Sequence, residues 1–126
     1  MILLDTCALL WLTHDQSKIS RNTLQMIEDA PVVYLAAVSA FEIALKHKAG
    51  KLRLPVPPRD WMAGVLIHHQ IDVIALELEI CLKATELPPI HKDPCDRFII
   101  AAALTRDLPV VTADPDFASY GVRVLI

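Results

Sequence analysis

Glycine is scarce in this chain. Only three occur among 126 residues, Gly50, Gly64 and Gly121, and they lie far apart. No glycine-rich phosphate cradle, P-loop or dinucleotide fingerprint can be built from them, so ATP- and NAD-dependent chemistries drop out. Cysteine is sparse and odd in number, with Cys7, Cys81 and Cys95 forming no C-x-x-C pair. That pattern fits reduced thiols in a cytoplasmic protein and excludes a disulfide framework. No apolar run approaches the ~20 residues of a membrane span. The opening Met-Ile-Leu-Leu-Asp lacks the basic region and small-residue cleavage site of a signal peptide. The expected location is therefore cytoplasmic, without a membrane partner. What the chain has in quantity is apolar surface: 54% of residues are hydrophobic and 21% charged. A real core can be buried, which excludes a disordered chain. The length suits one domain, expected to span residues 1–126.

Charge is uneven along the chain. Twelve Lys and Arg face fifteen Asp and Glu, a formal balance of −3. Between positions 43 and 59 there are five basic residues (Lys46, Lys48, Lys51, Arg53, Arg59) and no acid. Four of the acids are candidates for a single site. A basic strip beside an acidic pocket is compatible with a polyanionic substrate despite the negative total.

Apolar patterning alternates between short strands and helices. Residues 2–4 form a buried strand that stops at Asp5-Thr6, and helical spacing takes over around 8–12. Ser20 opens a helix that ends before Pro31. Strand residues 32–35 follow, rich in β-branched and aromatic side chains. A helix opening at Ser39 runs to about Gly50, and the proline-rich stretch 54–58 is a stiff connector into a helix ending near His69. A strand over 72–75, a helix over 77–85 and the break at Pro88-Pro89 come next. Asp93-Pro94 starts a helix whose body, 98–104, is apolar on every side and so belongs inside the protein. Strands over 109–112 and 122–126 complete the pattern. This alternation predicts one α/β domain with a mainly parallel central sheet and helices on both faces.

Four carboxylates fall where such a fold concentrates chemistry. Asp5 ends the first strand and Asp114 lies just beyond the fourth, at the carboxyl edge where ligands bind in open α/β sheets. Glu42 and Asp96 sit in the first turns of helices that begin at that same edge. Four acids gathered there repel unless cations neutralise them. Oxygen ligands without a His or Cys partner suit Mg²⁺ or Mn²⁺ rather than zinc. Such a cluster is the usual apparatus of metal-assisted phosphodiester hydrolysis. Each acid also has an ordinary structural explanation. Ser39-x-x-Glu42 reads as a capping box. Asp93-Pro94-x-Asp96 reads as an N-cap with dipole-favoured acid. Asp5 can cap the helix after it, and Asp114-Pro115-Asp116 is a turn sequence.

The combination is more specific than its parts. Ile2-Leu-Leu-Asp5-Thr6, Ser39-x-x-Glu42, His91-x-Asp-Pro-x-Asp-Arg97 and Val111-Thr-x-Asp114 occur in an order and spacing that resembles the PIN-domain ribonucleases. Within them the likeness is to the VapC-like toxins of toxin–antitoxin pairs. It runs through the whole chain and includes Glu42-Ile-Ala-Leu-Lys46 and Phe98-Ile-Ile-Ala-Ala-Ala103; Phe41 and Cys95 replace the more usual Trp and Phe. The resemblance implies a divalent-metal-dependent endoribonuclease that leaves 5′-phosphate and 3′-hydroxyl ends. It implies an acidic cluster of Asp5, Glu42, Asp96 and Asp114, with Asp5 and Asp96 as direct ligands to Mg²⁺ or Mn²⁺. Asp116 lies in the same turn as Asp114; Asp114 is preferred for its distance from Thr112. A homodimer silenced by a separate antitoxin protein is also implied.

Other residues have weaker claims. Thr6 and Thr112 flank acids; the resemblance implies hydroxyls that orient a carboxylate or water, and an ordinary N-cap or strand-end hydroxyl is the alternative. Arg97 is a candidate to pair with a site carboxylate or with phosphate, and is expected in a structural salt bridge. His91 and Cys95 lack the second pair that a zinc site needs. Cys7 and Cys95 are expected to be small buried residues, and Trp11 and Trp61 core or interface residues. Lys46, Lys48, Lys51 and Arg53 are candidates for RNA-backbone contacts, or for a solvated helix face. Two rival functions differ in kind. One is a phosphotransfer enzyme using Asp5 as nucleophile, although Cys7 stands where a second Asp is wanted. The other is a catalytically inactive PIN-like module that binds RNA or protein.

Overall fold

The computed structural model describes all residues, Met1–Ile126. Five strands, β1 (Ile2–Leu4), β2 (Val33–Ala36), β3 (Ile71–Ile74), β4 (Val110–Val111) and β5 (Val124–Leu125), form one sheet in the order β3-β2-β1-β4-β5. Every neighbouring pair is parallel. Six α-helices connect them: α1 (Thr6–His14), α2 (Arg21–Asp29), α3 (Ala37–Lys48), α4 (Pro58–His68), α5 (Leu78–Glu86) and α6 (Pro94–Arg106). Short 3₁₀ turns lie at Gln16–Lys18 and Pro115–Tyr120. No helix is long and apolar enough to cross a membrane.

Strand side chains alternate between two cores, as the period of two requires. Ile2 and Leu4 face the core built with Ala8, Leu9 and Leu12 of α1, Ile27 of α2, Ile43 of α3 and Trp61 of α4. Leu3 between them faces the other core, built with Ile80 and Ala84 of α5 and Ile99 to Ala103 of α6. Val110 and Val111 divide in the same way. Helices therefore cover both faces, as the sequence predicts. The all-apolar body of α6 is the most buried helix segment, with Ile99, Ile100 and Ala101 at 0% exposure. Each of its isoleucines contributes roughly 1.5–3 kcal/mol by leaving water.

One local expectation is corrected. Ser39 does not cap a helix: α3 begins at Ala37, with Ala36 at the N-cap and no side-chain cap bond. β2 runs straight into the helix, so Ser39 falls inside the first turn and is fully buried. Its hydroxyl accepts a 2.9 Å hydrogen bond from Thr6 Oγ1, which ties the start of α1 to the start of α3. Glu42 consequently lies in the second turn of α3, free of any capping duty.

The connections place the site. The chain steps outward from β1 to β2 to β3, then crosses back to lay β4 on the other side of β1. The order reverses between β1 and β4, and a crevice opens at such a switch point beyond the carboxyl ends of the strands. Asp5 and Asp114 are the acids that follow those two strands.

Candidate active site

Asp5, the residue that follows β1, is buried at 6% exposure. Its backbone N–H extends the ladder to Val111 O at 3.1 Å, and its Oδ1 caps α1 by accepting from Ala8 N at 2.7 Å. Burial pushes its carboxyl up to about 6, and the charges of Glu42 and Asp114 add to the rise. The Thr112 hydroxyl and the Ala8 N–H act in the opposite sense. Asp96, in the first turn of α6, is raised to about 6 as well. Burial is the main cause, with the charges of Asp93, Glu42 and Asp5 adding to it and His91 opposing. Proline at the first helical position and Asp93 as N-cap, bonded to Cys95 N at 2.9 Å, fix where that turn begins.

Glu42 approaches from α3. One carboxylate oxygen lies 3.3 Å from Lys46 Nζ; the other, Oε1, is buried with no hydrogen-bond partner. An orphaned carboxylate oxygen is a costly group to bury, on the order of 1–3 kcal/mol, unless something is meant to meet it. Lys46 loses some charge stability to desolvation, but Glu42 outweighs this and holds its ammonium above the ordinary value.

Asp114 is the acid of its turn that joins the cluster. Its Oδ1 caps the 3₁₀ turn by accepting from Asp116 N at 2.9 Å, while Oδ2 lies 2.8 Å from His91 Nε2. Desolvation works against its charge, yet the Asp116 N–H and His91 hold it below the usual carboxylate range. Asp116 itself is exposed and contributes that backbone N–H. The Thr112 hydroxyl accepts from Asp114 N at 3.0 Å and so shapes the turn. Thr6, by contrast, binds Ser39 and no acid.

His91 is the residue that sequence reasoning missed. Its Nε2 lies 2.8 Å from Asp114 and 3.1 Å from Asp96, and the ligand atoms of these three side chains fall within 4.8 Å of one another. The expectation of an oxygen-only cluster is corrected accordingly. The available signal is its place in His91-x-Asp-Pro-x-Asp-Arg97; nothing local shows that the turn folds back onto Asp114. Burial lowers the imidazole, but the Asp114 bond and the charges of Asp96, Asp114 and Asp93 hold it above its ordinary value. The Asp93 N–H, 3.3 Å from Nδ1, favours a ring that donates from Nε2 toward the carboxylates.

Two further expectations change, those for Arg97 and Cys7. Arg97 forms no salt bridge; its guanidinium donates to the carbonyls of Ala84, Leu87, Pro88 and His91. Cys7 is exposed rather than buried. Its thiol is pushed up by desolvation and then by Asp5, and that of half-buried Cys95 to about 11 by burial and by Glu42, Asp93 and Asp96. Neither is a thiolate near neutral pH, so no soft ligand competes with the carboxylates. Trp61 is buried and stacks on His14 at 5.9 Å between centroids. Of the basic strip, Lys46 joins the site through Glu42, whereas Lys48, Lys51 and Arg53 are exposed and in no ion pair.

This is an α/β domain with an acidic site at the switch point of a five-stranded parallel sheet. The chain belongs to the PIN domain family, whose model matches residues 2–122. It is 28% identical over 120 residues to Ribonuclease VapC22 of Mycobacterium tuberculosis, covering 94% of this chain and 91% of that protein. Among solved structures, VapBC2 from Rickettsia felis bound to a promoter DNA fragment matches with a TM-score of 0.72 and 13% identity, over 98% of this chain and 97% of that one. A toxin–antitoxin complex from Klebsiella pneumoniae matches with a TM-score of 0.66 and 21% identity, over 100% and 97%.

Proposed function

We propose that this chain is a divalent-cation-dependent endoribonuclease and the toxin of a toxin–antitoxin pair, acting in the cytoplasm. The observation that supports the reading is that the charges of Glu42 and Asp114 act on Asp5, and those of Glu42 and Asp5 on Asp96, with Asp5 and Asp96 both raised to about 6. The similarity to a ribonuclease over nearly the full length supports the substrate class. The rival in which Asp5 is a phosphorylated nucleophile loses ground, because Asp5 is 6% exposed and its Oδ1 is engaged with Ala8 N.

The four carboxylates suit Mg²⁺ or Mn²⁺, and His91 joins them as a partner of Asp96 and Asp114 and not as a ligand. Asp5 and Asp96 are the ligands, and the unpartnered Oε1 of Glu42 is available to a second ion or a bound water. When bound, the cation lowers the pKa of a coordinated water and screens charge on the scissile phosphate. The chain's own part is to hold the carboxylates in place before RNA arrives: Ala8 N–H anchors Asp5, Asp93 sets the first turn of α6, and His91 aims Asp114. On this reading Lys46, paired with Glu42, and the exposed Lys48, Lys51 and Arg53 contact RNA phosphates. Charge reversal at Lys48, Lys51 and Arg53 should weaken RNA binding uniformly across sequences. The slope of log affinity against log salt should fall by about one for each phosphate that is no longer neutralised. Filter binding over a salt series measures both, and unchanged binding assigns these residues to a solvated face.

The partners follow from the same reading. A preassembled acidic site is active whenever cellular Mg²⁺ is present, so restraint must come from an antitoxin that occludes the crevice, for instance by setting a cationic side chain among the carboxylates. Val73, Leu76, Leu78 and Leu82, exposed along β3 and α5, supply apolar surface for such a partner or for a second copy in a homodimer. Expressed alone, the chain should arrest growth of a bacterial host, and the Asp5→Asn form should not. Normal growth with abundant folded wild-type protein would contradict the toxin assignment.

A further inference from the structure

We infer that Arg97 and Tyr120 are positioning residues that deliver His91 to the carboxylates; this rests on the functional reading above. The 87–91 turn between α5 and α6 carries His91, and on sequence grounds it is a weak structure, interrupted by Pro88 and Pro89 and lacking any regular ladder. Arg97 organises it. Its Nε and Nη2 donate to Ala84 O at 3.0 and 2.7 Å, and Nη2 also to Leu87 O at 2.8 Å. Nη1 donates to Pro88 O at 2.9 Å and to His91 O at 3.0 Å. These bonds engage all five N–H donors of the guanidinium.

Two of these carbonyls belong to the C-terminal end of α5, where acceptors are orphaned and a cation is favoured. The others fix the two ends of the turn. Tyr120 meets Arg97 on the Pro88 carbonyl, its hydroxyl 3.5 Å from Nη1. Its hydroxyl donates to Pro88 O at 2.9 Å and accepts from His91 N at 2.6 Å. The backbone of His91 is therefore gripped at its N–H by Tyr120 and at its carbonyl by Arg97. Its ring rests edge-on against Phe117, 6.1 Å between centroids, with Nε2 between Asp96 and Asp114.

A clamp on both backbone groups of one residue does more than stabilise a loop: it fixes where that residue's ring can point. Arg97 is adjacent to Asp96 in sequence yet pairs with no carboxylate, so its charge is directed to the turn and not to the site. Lysine has three donors on one point and cannot span four carbonyls, so Arg97→Lys should loosen the turn without removing the charge. Tyr120→Phe removes only the hydroxyl and preserves the ring.

The test has two arms. In the metal-free protein, long-range nitrogen–proton spectra resolve the imidazoles of the five histidines. Tyr120→Phe and Arg97→Lys should each move the His91 ring signals, and leave those of His14, His47, His68 and His69 in place as proof of an intact fold. Unmoved His91 signals would overturn the proposal whether or not the chain cleaves RNA. In the second arm, RNA cleavage is followed in a double-mutant cycle. Tyr120→Phe should lower kcat about tenfold with KM within about twofold. In a His91→Ala background the same substitution should change kcat by less than about twofold, since its effect passes through His91. An equal loss in both backgrounds would make the clamp merely structural. Absence of cleavage by the wild-type chain would instead remove the proposed function, and leave the spectroscopic arm to decide on the clamp.

Discussion

Asp5→Asn and Asp96→Asn should each lower RNA cleavage by at least about a thousandfold, the rate equivalent of the several kcal/mol that a bound cation contributes to such a reaction. The substitutions are nearly isosteric, and their structural consequences are small for identifiable reasons. Asparagine is as good an N-cap as aspartate, so the bond from Ala8 N to position 5 survives in Asp5→Asn. Asp96 is not the cap of α6; Asp93 is. Loss of activity should therefore occur in proteins that melt no lower than wild type. Retained activity in either variant would sink the metal-ligand assignment, and a collapse of the melting transition would make that acid chiefly structural.

The metal-free protein should be more stable at pH 5 than at pH 7.5. Asp5 and Asp96 have folded values near 6, well above the 3.8 of an unperturbed aspartate. Between these values the folded state binds more protons than the unfolded state, so stability falls as pH rises through that window. For buried Asp5 alone the loss between pH 5 and pH 7.5 is about 1–1.5 kcal/mol. His91 acts in the same direction, because a histidine raised on folding loses its contribution as pH climbs through the folded value. Asp114, lowered on folding, loses its contribution only in more acidic solution, below the ordinary carboxylate range. A drop in Tm of about 5 °C or more between pH 5 and 7.5 is expected. Asp5→Asn should flatten the profile, and Mn²⁺ at pH 7.5 should restore wild-type stability by binding the folded state alone. A Tm that rises over this interval would contradict the picture of mutually repelling, desolvated acids.

Much of the fold can be read from the chain because its signals are local. Apolar runs that stop at Asp5 or Thr112, a helix apolar on every side over 98–104, and Pro94 at a helix start each act within a few residues; Pro58, read as part of a stiff connector, instead opens α4. Strand order is different. Five short apolar strands look alike, and only packing decides that β4 lies beside β1. The Ser39 cap fails for a related reason, since Ala36-Ala37 offers nothing that marks a helix start. The acids are legible because strand ends and helix starts are visible in sequence and point to one edge. His91 is not, because its role depends on a proline-rich turn held by Arg97 and Tyr120, residues whose bonds run to backbone groups that no side-chain motif reveals.

The most direct test of the central claim is cleavage of RNA by the purified chain, freed of any antitoxin, with Mg²⁺ or Mn²⁺ and then with excess EDTA. The expected result is internal cleavage that leaves 5′-phosphate and 3′-hydroxyl ends, abolished by the chelator and restored when the cation is returned. Cleavage that proceeds undiminished in EDTA, or a folded chain that is inert with both cations, would contradict it.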